Sequence, residues 1–496
     1  MVKDSGVGKG SDRRKLSPLN AWAFSFACAI GWAAYVMPAT TFLPMGGIAG
    51  SLVAFLTGGL AMCVIAWNYH YLGNLIPDQG GIYHLVKQSM NRELAFVAGW
   101  GMGLAHLCCI PLNAKAMAML IRVFLETVFG VDFEVFFFGS DTLLIEAILI
   151  VAGLILFGFI NVRGIKSTAR VQTVGAITLL GGIVIMLVAA LVASPDPFRA
   201  FGEMHAPGIS FPSSFMSIFL ITPWAFVGFD SLSKVTQDLN FPLKKIGKVM
   251  IISVLCGTFA YVANILITLF GMPDEFASWP EYLASLKNLP GIDGYPVAIA
   301  SKNAMGITGT VIFFVSCISA TLTGLIGFFA SVSRLIEQMA QDNVLPATLG
   351  KVDEKRNTPV HAIWLVVVIA LGLSLLRNSF DFIEEVASIG TDVGFGLISI
   401  ATFVNSRKRH EKKFMVSGAV GTVLCLFWLV FMFIHTDGTT GAMSVTSAWL
   451  LLVWVFIGIG VFSFYTRSKE KGDIEVALKE IEMMSGRGES DAEKGI

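Results

Sequence analysis

The sequence predicts an all-α integral membrane protein with about twelve transmembrane helices, arranged as a 5+5 inverted repeat plus two C-terminal helices. Three observations carry that prediction. Of 496 residues, 55% are hydrophobic and only 14% charged, and mean hydropathy is +0.72, far from the composition of a soluble domain. About 20 apolar residues cross a bilayer. Twelve stretches of roughly that kind run at approximately 20–43, 48–68, 94–127, 142–160, 171–193, 214–233, 247–271, 306–333, 360–376, 382–404, 415–434 and 447–466. Finally, with the N-terminus placed inside, alternate connections hold 29 of the 35 lysines and arginines. Outer loops hold four (Arg199, Lys287, Lys302, Arg377), while Lys115 and Arg122 fall within the third stretch. By the positive-inside rule both termini are cytoplasmic, in a plasma membrane (the inner membrane in a bacterium).

In chain order, residues 1–15 form a polar cytoplasmic tail. The first apolar stretch is too long for a signal-peptide core and lacks a cleavage site, so it reads as an uncleaved helix. It is interrupted at Gly31-Trp32-Ala33, with Pro38 following. Stretches two to five complete a first half over about 19–193, and the fifth carries no charge between Val171 and Ala193. The sixth stretch opens a second half, about 213–405, and is interrupted at Phe226-Val227-Gly228-Phe229-Asp230. The outer loop 272–305 carries Pro273, Trp279, Pro280, Pro290 and Tyr295 and reads as short helices over the outer mouth. Helices eleven and twelve, about 414–467, close the 16–467 membrane domain, and residues 468–496 form a second cytoplasmic tail with one weak apolar turn at Ile474–Met484.

The two interrupted stretches are the first member of each half. Because five spans is an odd number, the second half enters from the opposite side, which makes the repeat an inverted one. Inside hydrocarbon, unwound backbone is tolerated only where it lines a cavity or binds something. Paired interruptions in corresponding positions of two halves therefore point to a transporter's binding site.

Other classes recede. Net charge is zero, so nothing points to nucleic acid. All seven cysteines fall in apolar stretches, which argues against exposed disulfides. Adjacent Cys108 and Cys109 point about 100° apart on a helix, so they read as packing residues and not as metal ligands. An intramembrane enzyme would need a nucleophile or metal constellation, and neither H-E-x-x-H nor G-x-S-x-G occurs. A non-transporting nutrient sensor stays open as an alternative, although the C-terminal tail is short for signalling. No cofactor is expected. The expected partners are a small-molecule substrate and the lipid bilayer, and oligomeric state is not legible.

Several motifs match one family in order and spacing. Ile30-Gly31-Trp32-Ala33-Ala34-Tyr35-Val36-Met37-Pro38 sits where that family has I-G-x-G-I-F-x-x-P. Pro77-Asp78-Gln79-Gly80-Gly81-Ile82-Tyr83 matches P-x-x-G-G-x-Y, with Gly99-Trp100 after it, and Asn161-Val162-Arg163-Gly164-Ile165-Lys166 opens the fifth helix. Phe226 to Asp230, followed by Asp238 and Pro242, matches the sixth-span segment. Ser333-Arg334, Met339-Ala340-Gln341-Asp342 and Leu345-Pro346 match S-R-x-x-x-x-M-A-x-D-x-x-L-P. Over about residues 16–410 the chain resembles the amino acid–polyamine–organocation (APC) permeases, with the LeuT-like fold. The resemblance implies secondary transport of an amino acid or related amine by alternating access. Ion-coupled transport and obligate exchange both stay open.

A zwitterionic substrate needs donors for its carboxylate and acceptors for its ammonium, and half-helix ends and unwound carbonyls offer both. By the resemblance, Gly31, Trp32 and Ala33 offer backbone donors, while Ile30, Phe226 and Val227 offer carbonyls beside Gly228. The family often has Gly-Ser-Gly where this chain has Gly31-Trp32-Ala33, which narrows backbone approach. Trp224 and Phe328 fall where relatives place gating or flanking side chains, with plain packing as the alternative. His106 maps onto a pocket-lining position of some relatives. It shares a helix face with Asn113, seven residues on, whereas Lys115 lies off that face. A Lys115–Asp392 ion pair is expected, with Glu146 as the other available acid and snorkelling as the alternative. Asp230 is read as orienting the break, binding an amine, taking a coupling proton or capping the second half-helix. Lys244, Lys245 and Lys248, with Asp238 and Lys234, are placed in an inner loop. Sodium and proton remain the candidate coupling ions. Leu179 stands near where some relatives carry a lysine, and Ser316, Ser319, Thr321 and Thr323 offer hydroxyls that could join carbonyls of the first helix.

Overall fold

The computed structural model describes residues 16–76, 81–131, 135–136, 142–286, 289, 291–376, 379–434 and 443–466. Both tails, residues Pro77 to Gly80 of the motif after the second span, and Lys287 and Arg377 lie outside them. The described residues form helices and no strand, only isolated bridges. In order these are α1 (Pro18–Ala29), α2 (Ala33–Met37), α3 (Leu43–Leu75), α4 (Ile82–Ser89), α5 (Arg92–Phe129), α6 (Leu144–Val162), α7 (Ile165–Ala193), α8 (Phe211–Phe219) and α9 (Thr222–Ala225). They continue as α10 (Ile246–Phe270), α11 (Trp279–Leu286), α12 (Pro296–Met305), α13 (Ile307–Gln341), α14 (Val360–Ser374), α15 (Ser379–Lys408), α16 (Lys412–Phe431) and α17 (Val445–Thr466).

Nine helices among the described residues are long and apolar enough to cross a membrane. The other expected spans are present in altered form. The first is split between α1 and α2, with α2 running through a π-helical turn, Pro38–Phe42, into α3. The sixth is split into α8, α9 and a 3-10 segment, Phe229–Asp238. The ninth is the 15-residue α14. The outer loop expected to carry short helices contains α11 and α12. Exposed Ile155 and Phe159 on α6, Val174 and Val188 on α7, and Trp449 and Phe456 on α17 give these helices apolar outer faces, as a hydrocarbon solvent requires.

Local chemistry sets the ends nearest the site. α1 starts on a capping box: Asn20 N–H donates to Ser17 Oγ at 3.3 Å and Ser17 N–H to Asn20 Oδ1 at 3.3 Å, with Pro18 in the first turn. It stops at Ile30, whose backbone is extended. Within α3, Gly47 takes φ +58°, and a Cβ there would stand 2.4 Å from the Ala206 nitrogen, so the entry to that helix needs glycine. α1 is buried against α7, α10, α13 and the 3-10 segment. The chain just before α1 pairs with the end of that segment: Leu16 N–H donates to Asp238 O at 2.7 Å and Asn240 N–H to Leu16 O at 3.0 Å. The two broken spans are thus tied together at one end.

The same end of the molecule is closed by charge. Asp342, which caps α13, accepts from Tyr83 and Lys87 of α4, and Arg92 Nη2 donates to the Asp342 carbonyl at 2.7 Å. Gly81 N–H donates to Gln338 Oε1 at 3.1 Å. Arg334 pairs with Glu337 at 2.8 Å and with Asp238 at 3.5 Å, and donates to Asn357 O. Burial alone would raise the Asp342 carboxyl. Its bonds from Lys87 and Tyr83, with the Lys87 and Arg92 charges, outweigh burial and hold it below the ordinary carboxylate range. A depressed folded-state value gives stability that is present above the unfolded carboxylate pKa and is lost as pH falls through the folded one. Asp342→Asn is therefore expected to lower stability by about 1 kcal/mol at neutral pH. The gap to wild type should close below about pH 4. Thermal unfolding in detergent at both pH values checks this, and a gap that persists in acid would contradict it.

Candidate functional site

The two breaks meet face to face. Gly228 takes φ +115°, and a Cβ there would lie 2.6 Å from the Cys28 carbonyl oxygen, so only glycine allows the second break to press on the end of α1. Ser25 Oγ donates to Phe229 O at 2.8 Å across this contact, and Tyr261 of α10 donates to Ala225 O at 2.7 Å. In the first break, Ile30 N–H bonds back to Phe26 O and Ala34 N–H to Gly31 O, so the Gly31 and Ala33 N–H groups fall between two helical patterns. Gly228 N–H donates to Asp230 Oδ1 at 3.3 Å.

Between the breaks lies a cavity of about 40 Å³. Cys28, Ala29, Gly31, Trp32 and Ala33 line it from the first break, and Trp224, Ala225 and Val227 from the second. Cys109, Leu112 and Asn113 of α5, Tyr261 and Phe328 complete the wall, which contains no acidic or basic side chain. Two polar atoms of the lining residues are buried without a hydrogen-bond partner among the described residues: the acceptor Asn113 Oδ1 and the donor Trp224 Nε1. Asn113 uses its Nδ2 on Cys109 O at 2.8 Å, and its Oδ1 lies 3.3 Å from where a Gly31 Cβ would stand. An unpaired donor and an unpaired acceptor, each costly to bury, suit a ligand that supplies the opposite partner to each.

Of the expected site residues, Gly31, Trp32, Ala33, Asn113, Trp224, Val227 and Phe328 line this cavity. Ile30 and Phe226 are fully buried and both pack on Gly257. His106 and Asp230 belong to a separate, fully buried cluster. His106 Nε2 stands 3.1 Å from Asp230 Oδ1, and His106 Nδ1 stands 2.8 Å from Ser331 Oγ. Lys234 Nζ donates to Asp230 Oδ2 at 2.6 Å and lies 3.2 Å from His106 Nδ1. Asp230 is therefore already neutralised by a tethered cation. Lys234 corrects the sequence reading, which left it in a solvated inner loop: it is 1% exposed and sits one helical turn after Asp230. The i, i+4 spacing of an acid and a base just past a break was the available signal.

The expected Lys115–Asp392 pair is absent. Both residues are buried, but neither Asp392 oxygen has a hydrogen-bond partner among the described residues. Glu146, the other acid considered, pairs with Arg122 at 2.7 Å, and Arg122 also holds Glu126 at 2.6 Å. The reason is angular: residues on separate helices meet only if both helices turn those faces together, which sequence spacing does not encode. The α13 hydroxyls bond elsewhere than α1. Ser319 donates to Val315 O and Thr323 to Ser319 O, each at 2.7 Å. Thr321 donates to Ile318 O and Ser316 to Thr178 O. Leu179 accepts at its carbonyl from Tyr35 at 3.5 Å, and Gln172 donates to Thr323 O at 3.1 Å. No cluster of metal-ligating side chains occurs among the described residues.

Comparison with known proteins matches this architecture. A family model described as amino acid permease covers residues 16–462. The branched-chain amino acid permease BcaP of Bacillus subtilis (strain 168) is 24% identical over 94% of this chain and 95% of its own. The methylthioribose transporter of the same organism is 23% identical over 92% and 94%. The large neutral amino acids transporter small subunit 2 of Mus musculus is 25% identical over 86% and 76%. The family and these relatives are transporters, not enzymes.

The contact between the breaks is testable. Gly228→Ala adds a methyl group against a backbone carbonyl at a φ that side chains rarely adopt, and is expected to destabilise by about 2 kcal/mol or more. Gly73→Ala, with nothing within 4 Å of its Cβ, is the control and should melt like wild type. Equal melting temperatures for the two variants would show that the breaks do not press together.

Proposed function

The chain belongs to the amino acid permease family, and from that premise we propose that it carries a neutral amino acid or related amine across the plasma membrane by alternating access. The observation that supports this most is the cavity between the two breaks, with its uncharged wall and its two unpaired polar atoms. A zwitterion has a matching group for each. Its ammonium would donate to Asn113 Oδ1, and its carboxylate would accept from Trp224 Nε1 and from the Gly31 and Ala33 N–H groups at the start of α2. Trp224 and Phe328 would cover the ligand and exclude water. An uncharged wall disfavours a basic or acidic side chain, because either would be buried without a counter-charge.

Within this reading, 19–193 and 213–405 form the two inverted repeats, 414–467 are appended, and both termini face the cytoplasm, as the lysine and arginine distribution supports. Transport is coupled to an ion. The α13 hydroxyls donate to carbonyls of α13 and α7 and keep their oxygen lone pairs, so sodium and proton both stay open.

The test is uptake of labelled neutral, basic and acidic amino acids and amines into proteoliposomes, with and without a sodium gradient, a pH gradient and internal substrate. Neutral amino acids should enter best, driven by a pH or a sodium gradient. Asn113→Ala should raise the half-saturation concentration roughly five- to tenfold, the equivalent of one lost hydrogen bond. Uptake that requires internal substrate would replace ion coupling with obligate exchange. Silence across the whole panel from folded protein would favour the sensor reading.

A further inference from the structure

The cluster of His106, Asp230, Lys234 and Ser331 has no part in lining the cavity, yet it joins the 3-10 end of the sixth span to α5. Asp230 and Lys234 stand on the 3-10 segment just past the second break. His106 comes from α5 and Ser331 from α13, and all four side chains are buried. We propose that this cluster is a proton-operated latch: a proton taken up by His106 expels Lys234 from the cluster and releases the Lys234 end of the 3-10 segment from α5, while Asp230 stays bound to His106. The proposal rests on the alternating-access reading above.

Hydrogen-bond chemistry fixes the resting state. A carboxylate only accepts, so His106 Nε2 carries the hydrogen that faces Asp230 Oδ1 at 3.1 Å. An ammonium only donates, so His106 Nδ1 must be the acceptor for Lys234 Nζ at 3.2 Å. The imidazole is therefore neutral, Asp230 and Lys234 cancel, and the quartet carries no net charge. Such a buried set is tolerable because every ionised member has an opposite partner.

One added proton changes this at one atom. It comes from hydronium, whose O–H bond breaks as an N–H bond forms at His106 Nδ1, and it returns to water when the imidazolium gives it up. Ser331 Oγ, 2.8 Å away, can turn from donor to acceptor and hold the new N–H. Lys234 cannot, because it has no lone pair to offer. An attractive contact becomes two cations 3.2 Å apart, and the repulsion acts across the junction between α5 and the 3-10 segment. Asp230 keeps the His106 Nε2–H bond, so the strain falls on Lys234. Histidine is the side chain whose charge changes within the physiological range, which gives the latch a usable trigger. The charged groups acting on His106 are Asp230 and Lys234. Cys28 of α1, Tyr69 of α3 and Cys109 of α5 are the further titratable side chains acting on that pair, and the Phe328 ring meets the imidazole edge-on at 5.3 Å.

Cys28 lines the cavity and is 2% exposed, so a maleimide reaches it only when the latch side opens. Its labelling rate in purified full-length protein can be followed by peptide mass spectrometry and divided by that of a free thiol at each pH. This readout needs no substrate. The corrected rate is expected to rise roughly tenfold as pH falls from about 8 to about 5.5. His106→Gln should flatten the profile. The double change Asp230→Asn with Lys234→Met, which removes both charges together, should flatten it too, and it carries the test if His106→Gln does not fold. A flat wild-type profile, or a folded variant that keeps the wild-type slope, overturns the latch. Absence of transport with a steep profile would instead sink the transport reading, while pH-gradient-driven uptake with a flat profile would leave transport standing and remove the latch.

Discussion

Every polar group of the backbone must find a partner inside hydrocarbon, and the architecture turns on the two places where the helical ladder cannot supply one. At Gly31 and at Gly228 the chain leaves the helix, and the molecule answers by bringing those places together. Ser25 and Tyr261 hold carbonyls of the second break, the Asp230 carboxylate holds its Gly228 N–H, and glycine at 228 lets the two backbones touch. Among the buried polar atoms left without a partner, Asn113 Oδ1 and Trp224 Nε1 belong to residues that line the small space between the breaks.

Charge inside the bundle follows the same economy. The cavity wall is neutral, while the ionised side chains near it are gathered into a neutral quartet one to two turns deeper. His106 and Asn113, seven residues apart on α5, mark these two levels on one helix face, about 10 Å apart along the axis. Phe328 stands between them, lining the cavity while its ring meets His106. At the end of the bundle that carries α4, the Asp342 and Arg334 networks add a more exposed layer of ion pairs. The cavity, the charge-balanced quartet and the more exposed ion pairs therefore occupy successive depths, each with its own chemistry.

Much of this was legible in the chain. Twelve apolar stretches, the two interruptions and the glycines at them follow from hydropathy and backbone sterics, which are local properties. The shared face of His106 and Asn113 follows from helical spacing alone. Rotational relations between distant helices do not. The partner of Asp230 escaped because Lys234 stands beyond a break, where an apolar run ends and a loop is the natural reading; a 3-10 segment buried by α5 and α13 reverses it. The Lys115–Asp392 pair failed for the converse reason: two buried charges far apart in sequence need not face each other. The α13 hydroxyls, offered as partners for carbonyls of the first helix, donate instead to carbonyls of α13 and α7.

One further property follows from the brevity of α14. Fifteen residues rise only about 22 Å, against a hydrocarbon core of about 30 Å. Its neighbours α5, α6 and α13 are all longer. The bilayer beside α14 must pinch inward, or polar ends of the helix must meet lipid tails, so the annulus around this protein is not of uniform thickness. Elastic deformation of the surrounding lipid becomes part of the energy of the folded state, and a thicker membrane loads the structure at that one wall.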